Sequence, residues 1–408
     1  MRVGLLTTSF PRFEGDIAGQ FVLGFARALA ARGHDVSVIA PEPHDQLPPP
    51  SWPGVRLRWL RYLRPRSLQR TFYGAGVPDN LRSDPRAWLG LVPFSAALAA
   101  AARRDLRDCH ALVSHWSLPC GLAAGFARAG RPHLAVLHSA DLHLLSRLPA
   151  RERLAAHIAG GASALWFVSE TQRGQFCTWL PGPQRAAVQA RSHVQPMGID
   201  EPEPPVRERA VLRRELGLDR FTLLTIARLV SVKGLVEAVR SLRHRSDLEW
   251  LIAGDGPEAN RIAQAVHGAS LRVRLLGTVI GARKHALLHT ADAFVLPSRV
   301  LASGRSEGVP TALLEAMAHG LPAIASAVGG IPSAVQPLDA ALLFDPHDAH
   351  GLEGAVDHLM ADAQRRRELS ARGRTAGLRQ GWRTIAPRIE ALLTRGTHSP
   401  SLQHMRYP

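Results

Sequence analysis

The amino-acid sequence predicts an α/β chain made of two parallel sheets, each carrying helices on both faces. Short apolar runs alternate with helix-period segments from the first residue onward, which is the pattern of repeated β-α-β units. The candidate strands fall into two sets, and a polar, proline-rich stretch, Glu201-Pro202-Glu203-Pro204-Pro205, lies between them as a linker would. With 408 residues, 46% of them apolar and 21% charged, the chain has room for two or three domains, and disordered or fibrous architectures are excluded.

Taken in order, Arg2 to Leu6 reads as a strand, Phe21 to Arg32 as an amphipathic helix closed by Gly33, and Val36 to Ala40 as the next strand. Further buried strands are expected at Ala111 to Ser114, Leu134 to His138 and Ala164 to Val168. The second set comprises Thr222 to Ala227, Glu249 to Ala253, Val273 to Leu276, Ala293 to Leu296 and Pro322 to Ala325. The first domain therefore spans 1–200 and the second 206–379, with a surface loop at Pro41 to Pro53 and a flexible polar tail at 396–408.

Fifty basic residues against thirty-four acidic ones give a net charge of +16, which suits anionic metabolites, acidic lipid surfaces or polyanions. Only Lys233 and Lys284 are lysines, so the excess is arginine spread along the chain, and it reads as a generic basic surface. No zinc-finger spacing, basic zipper or basic-aromatic interleaved strand supports nucleic acid as a partner. Cys109, Cys120 and Cys177 form no CxxC pair, which argues against a disulfide framework or zinc site and for a reducing cytoplasm. The N-terminus reads as a strand rather than a signal peptide, and no run of eighteen apolar residues could span a bilayer.

The most informative segment runs from Ser303 to Gly320. A loop feeds a helix that Pro310 can open and Gly320 can stop, so free amides face the loop and Gly308 lets a ligand approach the backbone. That is an anion site, yet Glu307 and Glu315 flank it. Carboxylates repel phosphate and accept hydrogen bonds from hydroxyls, so a ligand bearing both phosphates and many hydroxyls is implied. Arg228 and Lys233, on the loop after the Thr222 to Ala227 strand, supply a planar fork and a point charge that together could neutralise a diphosphate.

These residues resemble the retaining glycosyltransferases of the type 4 group, which have the GT-B fold: two Rossmann-like doubly wound domains facing across an interdomain cleft. The resemblance rests on Glu307 and Glu315, on His319-Gly320-Leu321-Pro322, on Gly329-Gly330-Ile331-Pro332, and on Arg228 with Lys233. It continues through Gly254-Asp255-Gly256-Pro257, Gly277-Thr278-Val279 and Pro196-Met197-Gly198-Ile199-Asp200, and covers essentially the whole chain. In the first half, Phe10 to Asp16 looks like the glycine-bearing first loop and His138-Ser139-Ala140-Asp141 like the histidine-containing motif. A helix at about 380–395, from Trp382 to Leu393, looks like the one that crosses back onto the first domain.

The resemblance implies transfer from a nucleotide-diphosphate sugar held by the second domain to a glycan or lipid-linked acceptor held by the first. It implies catalytic roles for His138, Glu307, Arg228 and Lys233, and donor contacts from Gly15, Asp16, Gly254, Thr278, Val279, Gly308, Val309, Pro310 and Glu315 as well. Glu307 would contact sugar hydroxyls, Glu315 the ribose, and the amides of Gly308 and Val309 the diphosphate. Asp-x-Asp occurs nowhere, so no metal or other cofactor is expected and the cations take that work. Two departures, Glu14 and Asp16 around Gly15 and Ser333 after Ile331-Pro332, bear on sugar and acceptor specificity.

Competing readings remain. Gly304-Arg305-Ser306-Glu307-Gly308 is a literal Gly-x-Ser-x-Gly, with Asp345, His347, Asp348 and His350 in hydrolase order, although a long loop separates Ser306 from its strand. A non-catalytic nucleotide-sugar-binding partner is the other rival. Neither a dinucleotide fingerprint nor a P-loop is present. His115-Trp116 could line the acceptor site or end a buried strand. The arginine-rich run from Val55 to Phe72 is a solvated strand or a peripheral membrane contact at the inner face.

Overall fold

The computed structural model describes residues 1–45, 51–74, 76–205 and 207–394. The chain divides into two compact units. The first comprises Met1–Phe167, Arg173–Val194 and the chain from Ile385; the second comprises Val168–Gln172 and Gln195–Thr384. The division falls ahead of the expected linker because β7 (Ser192–Val194) completes the first sheet. Residues 195–200 already belong to the second unit, where Ile199 pairs with Gly381 and the Trp382 ring lies over Gly198. The expected tail at 396–408 and part of the Pro41 to Pro53 loop lie outside the described residues.

The first unit holds β1 (Arg2–Leu6), β2 (Asp35–Pro41), β3 (Val55–Leu60), β4 (Ala111–His115), β5 (His133–Leu137), β6 (Ala164–Phe167) and β7, in the order 3-2-1-4-5-6-7, all parallel. β4, β5 and β6 are buried along their whole length, as strands covered on both faces must be, and this is why they read as apolar runs. β3 is the edge strand of the Val55 to Phe72 run. Val55 and Leu60 are buried while Arg56 and Arg58 face water, and arginines of this run pair with acids: Arg56 with Asp35 at 2.8 Å, Arg58 with Asp105, and Arg61 and Arg66 with Glu42 at 2.8 and 2.7 Å. Val55–Leu60 is therefore a strand with a solvated arginine face, and the charges protect the edge from further pairing.

The second unit holds β8 (Phe221–Ile226), β9 (Leu248–Ala253), β10 (Arg272–Leu275), β11 (Ala293–Leu296), β12 (Ala323–Ser326) and β13 (Leu342–Phe344), parallel in the order 10-9-8-11-12-13. Alternation along β8 sends Leu223 and Leu224 to opposite faces. Leu224 packs with Leu313 and Met317 of the helix Thr311–Ala318, while Leu223 packs with Trp250, Val236 and Val356. Both units are thus doubly wound, Rossmann-like α/β sheets, as expected. The terminal helix Trp382–Thr394 has its first residues in the second unit and continues in the first, where Glu390 pairs with Arg32 and lies 3.2 Å from His34.

Candidate active site

Ligands of open α/β sheets bind beyond the carboxyl ends of the strands, where the strand order reverses. In the second unit that point lies between β8 and β11, so the loops 227–234 and 297–310 are the ones to inspect. Lys233 ends a tight turn and is followed by Gly234 at φ 64, where a side chain would stand 2.1 Å from the Pro297 carbonyl of the other loop. The two loops are therefore pressed together, and Lys233 Nζ reaches Glu307 Oε1 at 2.9 Å. Glu307 is held in this ion pair, whereas the hydroxyls of Ser298 and Ser306 are buried without hydrogen-bond partners among the described residues. Buried polar groups are ordinarily satisfied, so a cluster of orphans marks a surface built for a polar ligand.

Neighbouring loops close on this pair. Gly330 N–H donates to the Glu307 carbonyl at 3.2 Å, and a side chain on Gly329 (φ 57) would lie 2.1 Å from that same oxygen. Gly254 (φ 141) leaves only 1.8 Å to the Ala227 carbonyl, so the loop after β9 lies directly on the loop bearing Arg228, whose side chain is exposed. No side chain caps the helix Thr311–Ala318, which leaves first-turn amides open beside Gly308 and Val309. Further along that helix, Glu315 Oε2 accepts from Lys284 Nζ at 3.1 Å. His319 donates through Nδ1 to the Glu315 carbonyl at 2.7 Å and accepts at Nε2 from His285 at 2.9 Å. Burial first, then its cationic neighbours, lowers the His319 pKa to about 4.

In the first unit the order reverses between β1 and β4. His138 follows β5 and caps the helix Ser139–Ser146 in a reciprocal box with Asp141, accepting from the Asp141 N–H while its own N–H donates to Asp141 Oδ1 at 2.9 Å. With one ring nitrogen accepting in the cap, Nε2 carries the proton and donates to His115 Nδ1 at 3.3 Å; this assigns both tautomers. His115 Nε2–H is then a buried orphan donor. Trp116, at φ 72, places its ring 5.0 Å from that of His138, and Phe21 stands at 5.2 Å. Burial lowers the His138 pKa to about 3, so the ring is neutral at physiological pH, and burial raises Asp141 to about 6.

Comparison with known proteins now bears on both units. The family described as Glycosyl transferases group 1 matches residues 208–376, and that described as Glycosyl transferase 4-like domain matches residues 18–190. The chain belongs to the group 1 glycosyltransferases. It is 28% identical to the GDP-mannose-dependent alpha-(1-6)-phosphatidylinositol monomannoside mannosyltransferase of Mycobacterium tuberculosis, across 96% of this chain and 98% of that one. It is 27% identical to the teichuronic acid biosynthesis glycosyltransferase TuaC of Bacillus subtilis, across 87% and 88%. Among solved structures, sucrose-phosphate synthase from Thermosynechococcus elongatus superposes with a TM-score of 0.74 at 22% identity, covering 97% of this chain and 98% of that one. Anabaena HepE in complex with UDP-glucose superposes at 0.69 and 17% identity, covering 97% and 100%. This glycosyltransferase is thus a GT-B protein, a transferase of class EC 2.4, and its relatives are named for glycolipid and polysaccharide synthesis.

Of the residues expected to act, Arg228, Lys233, Gly254, Thr278, Val279, Glu307, Gly308, Val309, Pro310 and Glu315 lie on the second unit, and Gly15, Asp16 and His138 on the first. Three of these residues also have a use within the fold itself. The Asp16 carboxylate is used within its own loop, accepting from Arg12 N–H and Nε at 2.9 and 2.7 Å and from Ala18 N–H at 3.1 Å. Burial alone would raise its pKa, but these bonds outweigh burial and hold it below the ordinary value. Asp16 is therefore a loop brace. Val279 is buried in the core, which leaves only its backbone for a ligand, and Pro310 is the residue before the helix rather than its first. The hydrolase reading fails: Ser306 has no hydrogen-bond partner among the described residues, and Asp345 and Asp348 bond the backbone of the exposed His347 and His350 in their own turns.

Lys284 escaped the sequence reading, because a lysine on an amphipathic helix looks like any solvated side chain. One signal was available: both lysines of the chain pair with the two glutamates of the motif.

The buried histidines set an acid limit on this glycosyltransferase. Burial holds His138 at about 3 and His133 at about 4, below the unfolded value of 6.5, so their contribution is present above pH 6.5 and lost as pH falls. Asp141, raised from 3.8 to about 6, has the opposite sign and gains one native-state proton over the same range. Each of these two histidines costs about 2 kcal/mol between neutral pH and about pH 5 and Asp141 returns part of it, while His115 and His319, likewise lowered by burial, add to the loss. Urea-denaturation midpoints should fall over that range, and fall further in Asp141→Asn; a flat profile would contradict the assignment.

Proposed function

We propose that this glycosyltransferase moves a sugar from a nucleotide-diphosphate sugar to a lipid-linked saccharide or surface-polysaccharide acceptor, with retention at the anomeric carbon and without a metal ion. The observation that carries the reading is the Lys233–Glu307 pair, set among orphaned hydroxyls at the open N-terminus of the helix Thr311–Ala318. Lys233, Arg228 and the amides of Gly308 and Val309 hold the diphosphate. Glu307 accepts from sugar hydroxyls and Glu315 from the ribose. The bond from the anomeric carbon to the diphosphate breaks while the acceptor oxygen attacks the same face, and the acceptor proton passes to the departing phosphate oxygen.

Fixed cations and amides stabilise the charge on that leaving group, which is the task a divalent ion performs elsewhere. Among the described residues, no cluster of three or more His, Cys, Asp or Glu is placed to hold such an ion. The acceptor class is supported by relatives named for a phosphatidylinositol mannoside and for teichuronic acid. The reaction then belongs at the cytoplasmic face of the membrane, and no helix among the described residues is long and apolar enough to cross one.

The test is donor binding followed by product analysis. GDP-mannose is the first donor to try, since the relatives matched along nearly their whole length use it, with UDP-, ADP- and CDP-sugars alongside. One nucleotide diphosphate should raise the melting temperature in the presence of EDTA. Glu315→Ala should weaken that donor about tenfold to hundredfold, the worth of a charged hydrogen bond. No stabilisation by any of the four nucleotides, or an unaltered affinity in Glu315→Ala, would overturn the site assignment. NMR of the product's anomeric proton reports retention directly.

A further inference from the structure

We propose that the turn Pro85–Gly90 and the start of the helix Leu91–Asp105 form a docking surface for an anionic lipid bilayer. Among the described residues, the three most exposed large apolar side chains are Trp88 (58%), Leu89 (56%) and Val92 (78%), all within five positions. The other exposed apolar residues are less exposed and occur singly or as the pairs Phe13 with Ile17 and Leu275 with Ile280, so no other stretch brings three together. Scattered apolar exposure is ordinary for a protein surface, whereas a contiguous group ringed by charge marks an interaction site.

The fold presents this group deliberately. Ala87, Gly90, Phe94 and Leu98 face inward, where Phe94 packs on Tyr62 and Phe72 at ring distances of 5.3 and 4.3 Å, and Gly90 leaves no room for a side chain beside Thr71 and Tyr62. The opposite face of the same turn is therefore turned outward by the packing of the inner one. Trp88 keeps its indole N–H bonded to the Leu81 carbonyl at 2.9 Å, so the polar edge of the ring is already satisfied and the rest can enter an apolar phase without an orphaned donor.

Charge selects the partner. Between residues 61 and 104 the sequence holds eight arginines and two aspartates. Asp84 caps the turn by accepting from Arg86 N–H at 2.9 Å and meets Arg70 at 3.4 Å, which brings the Arg70 guanidinium to the start of the turn. Arg64, Arg82 and Arg86 are exposed and have no ion-pair partner among the described residues, unlike Arg56 and Arg58 of β3. An apolar tip of tryptophan, leucine and valine, with the exposed Arg82 and Arg86 a few positions before it in the chain, matches the interfacial layer of a bilayer with anionic headgroups. This inference builds on the lipid-linked reading of the acceptor but rests on a surface separate from the residues assigned to donor chemistry.

The experiment is flotation of the full chain with phosphatidylcholine vesicles and with phosphatidylcholine vesicles containing phosphatidylglycerol. The wild-type protein should float with the anionic vesicles only, and less as salt rises. Trp88→Ser combined with Leu89→Ser and Val92→Ser should reduce flotation at least tenfold with an unchanged melting temperature. Arg82→Glu and Arg86→Glu should each weaken it about fivefold or more. Nucleotide-diphosphate stabilisation is read on the same samples, so a lost donor site and a lost membrane surface give different results. Equal flotation of wild type and triple variant, or flotation of neither, overturns the proposal. Dimerisation of the wild type without flotation, abolished in the triple variant, also overturns it and gives the face to a second copy of the chain.

Discussion

Replacing Lys233 by alanine is expected to lower kcat/KM by about two to three orders of magnitude, the scale seen when one fixed stabilising group is removed from a site of developing charge. The ammonium and its Glu307 partner are each only 12% exposed and 2.9 Å apart, so their fields are weakly screened by water and act at short range. A ground-state diphosphate is already anionic and gains charge as the sugar leaves. The loss should therefore appear in both donor affinity and kcat, with the larger share in kcat. Removing the lysine also strands a largely buried carboxylate, which is destabilising in its own right. Lys233→Met with Glu307→Gln separates the two effects: the melting temperature should return towards wild type while activity stays lost. Lys233→Arg keeps the charge but replaces a point donor by a planar fork, and should recover part of the rate. If Lys233→Ala retains activity within tenfold, the diphosphate is held elsewhere.

How much of this was legible in the sequence depends on what each residue packs against. Central strands such as Ala111–His115 and Ala293–Leu296 are covered on both faces, so their composition alone betrays them. The edge strands Ser192–Val194 and Leu342–Phe344 are three residues long and leave no period to read. The donor-side charges were legible for a related reason: Arg228, Lys233 and Glu307 sit in loops directly following apolar strands, where a charge has no structural excuse. Lys284 is 31 positions from Glu315, on a helix face that any solvated lysine could occupy, and only the fold brings the two together. Asp16 shows the opposite case. A polar residue beside a glycine in a first loop looks like a ligand contact, but Arg12, four positions earlier, had already claimed it.

The paired glycines after β12 give the sharpest test of how backbone geometry supports the site. Gly329→Ala is expected to destabilise the protein by about 2 kcal/mol and to weaken donor binding about tenfold or more, because two separate costs meet there. The first is the left-handed backbone at φ 57, which disfavours any residue with a Cβ. The second is steric: that Cβ would lie 2.1 Å from the carbonyl oxygen of Glu307, a backbone atom that cannot swing aside as a side-chain tip could. Relief requires moving residue 307 itself, and with it the carboxylate facing Lys233. Gly304→Ala isolates the first cost, since Gly304 shares the left-handed region at φ 78, lies in the loop carrying Glu307, and has nothing within 4 Å of the added methyl. It should cost about 1 kcal/mol and leave donor affinity unchanged. Equal donor affinities in the two variants would mean that the close approach of residues 329 and 307 does not position the glutamate. A deficit confined to Gly329→Ala would tie the Gly-Gly-Ile-Pro turn to the donor site through one carbonyl oxygen.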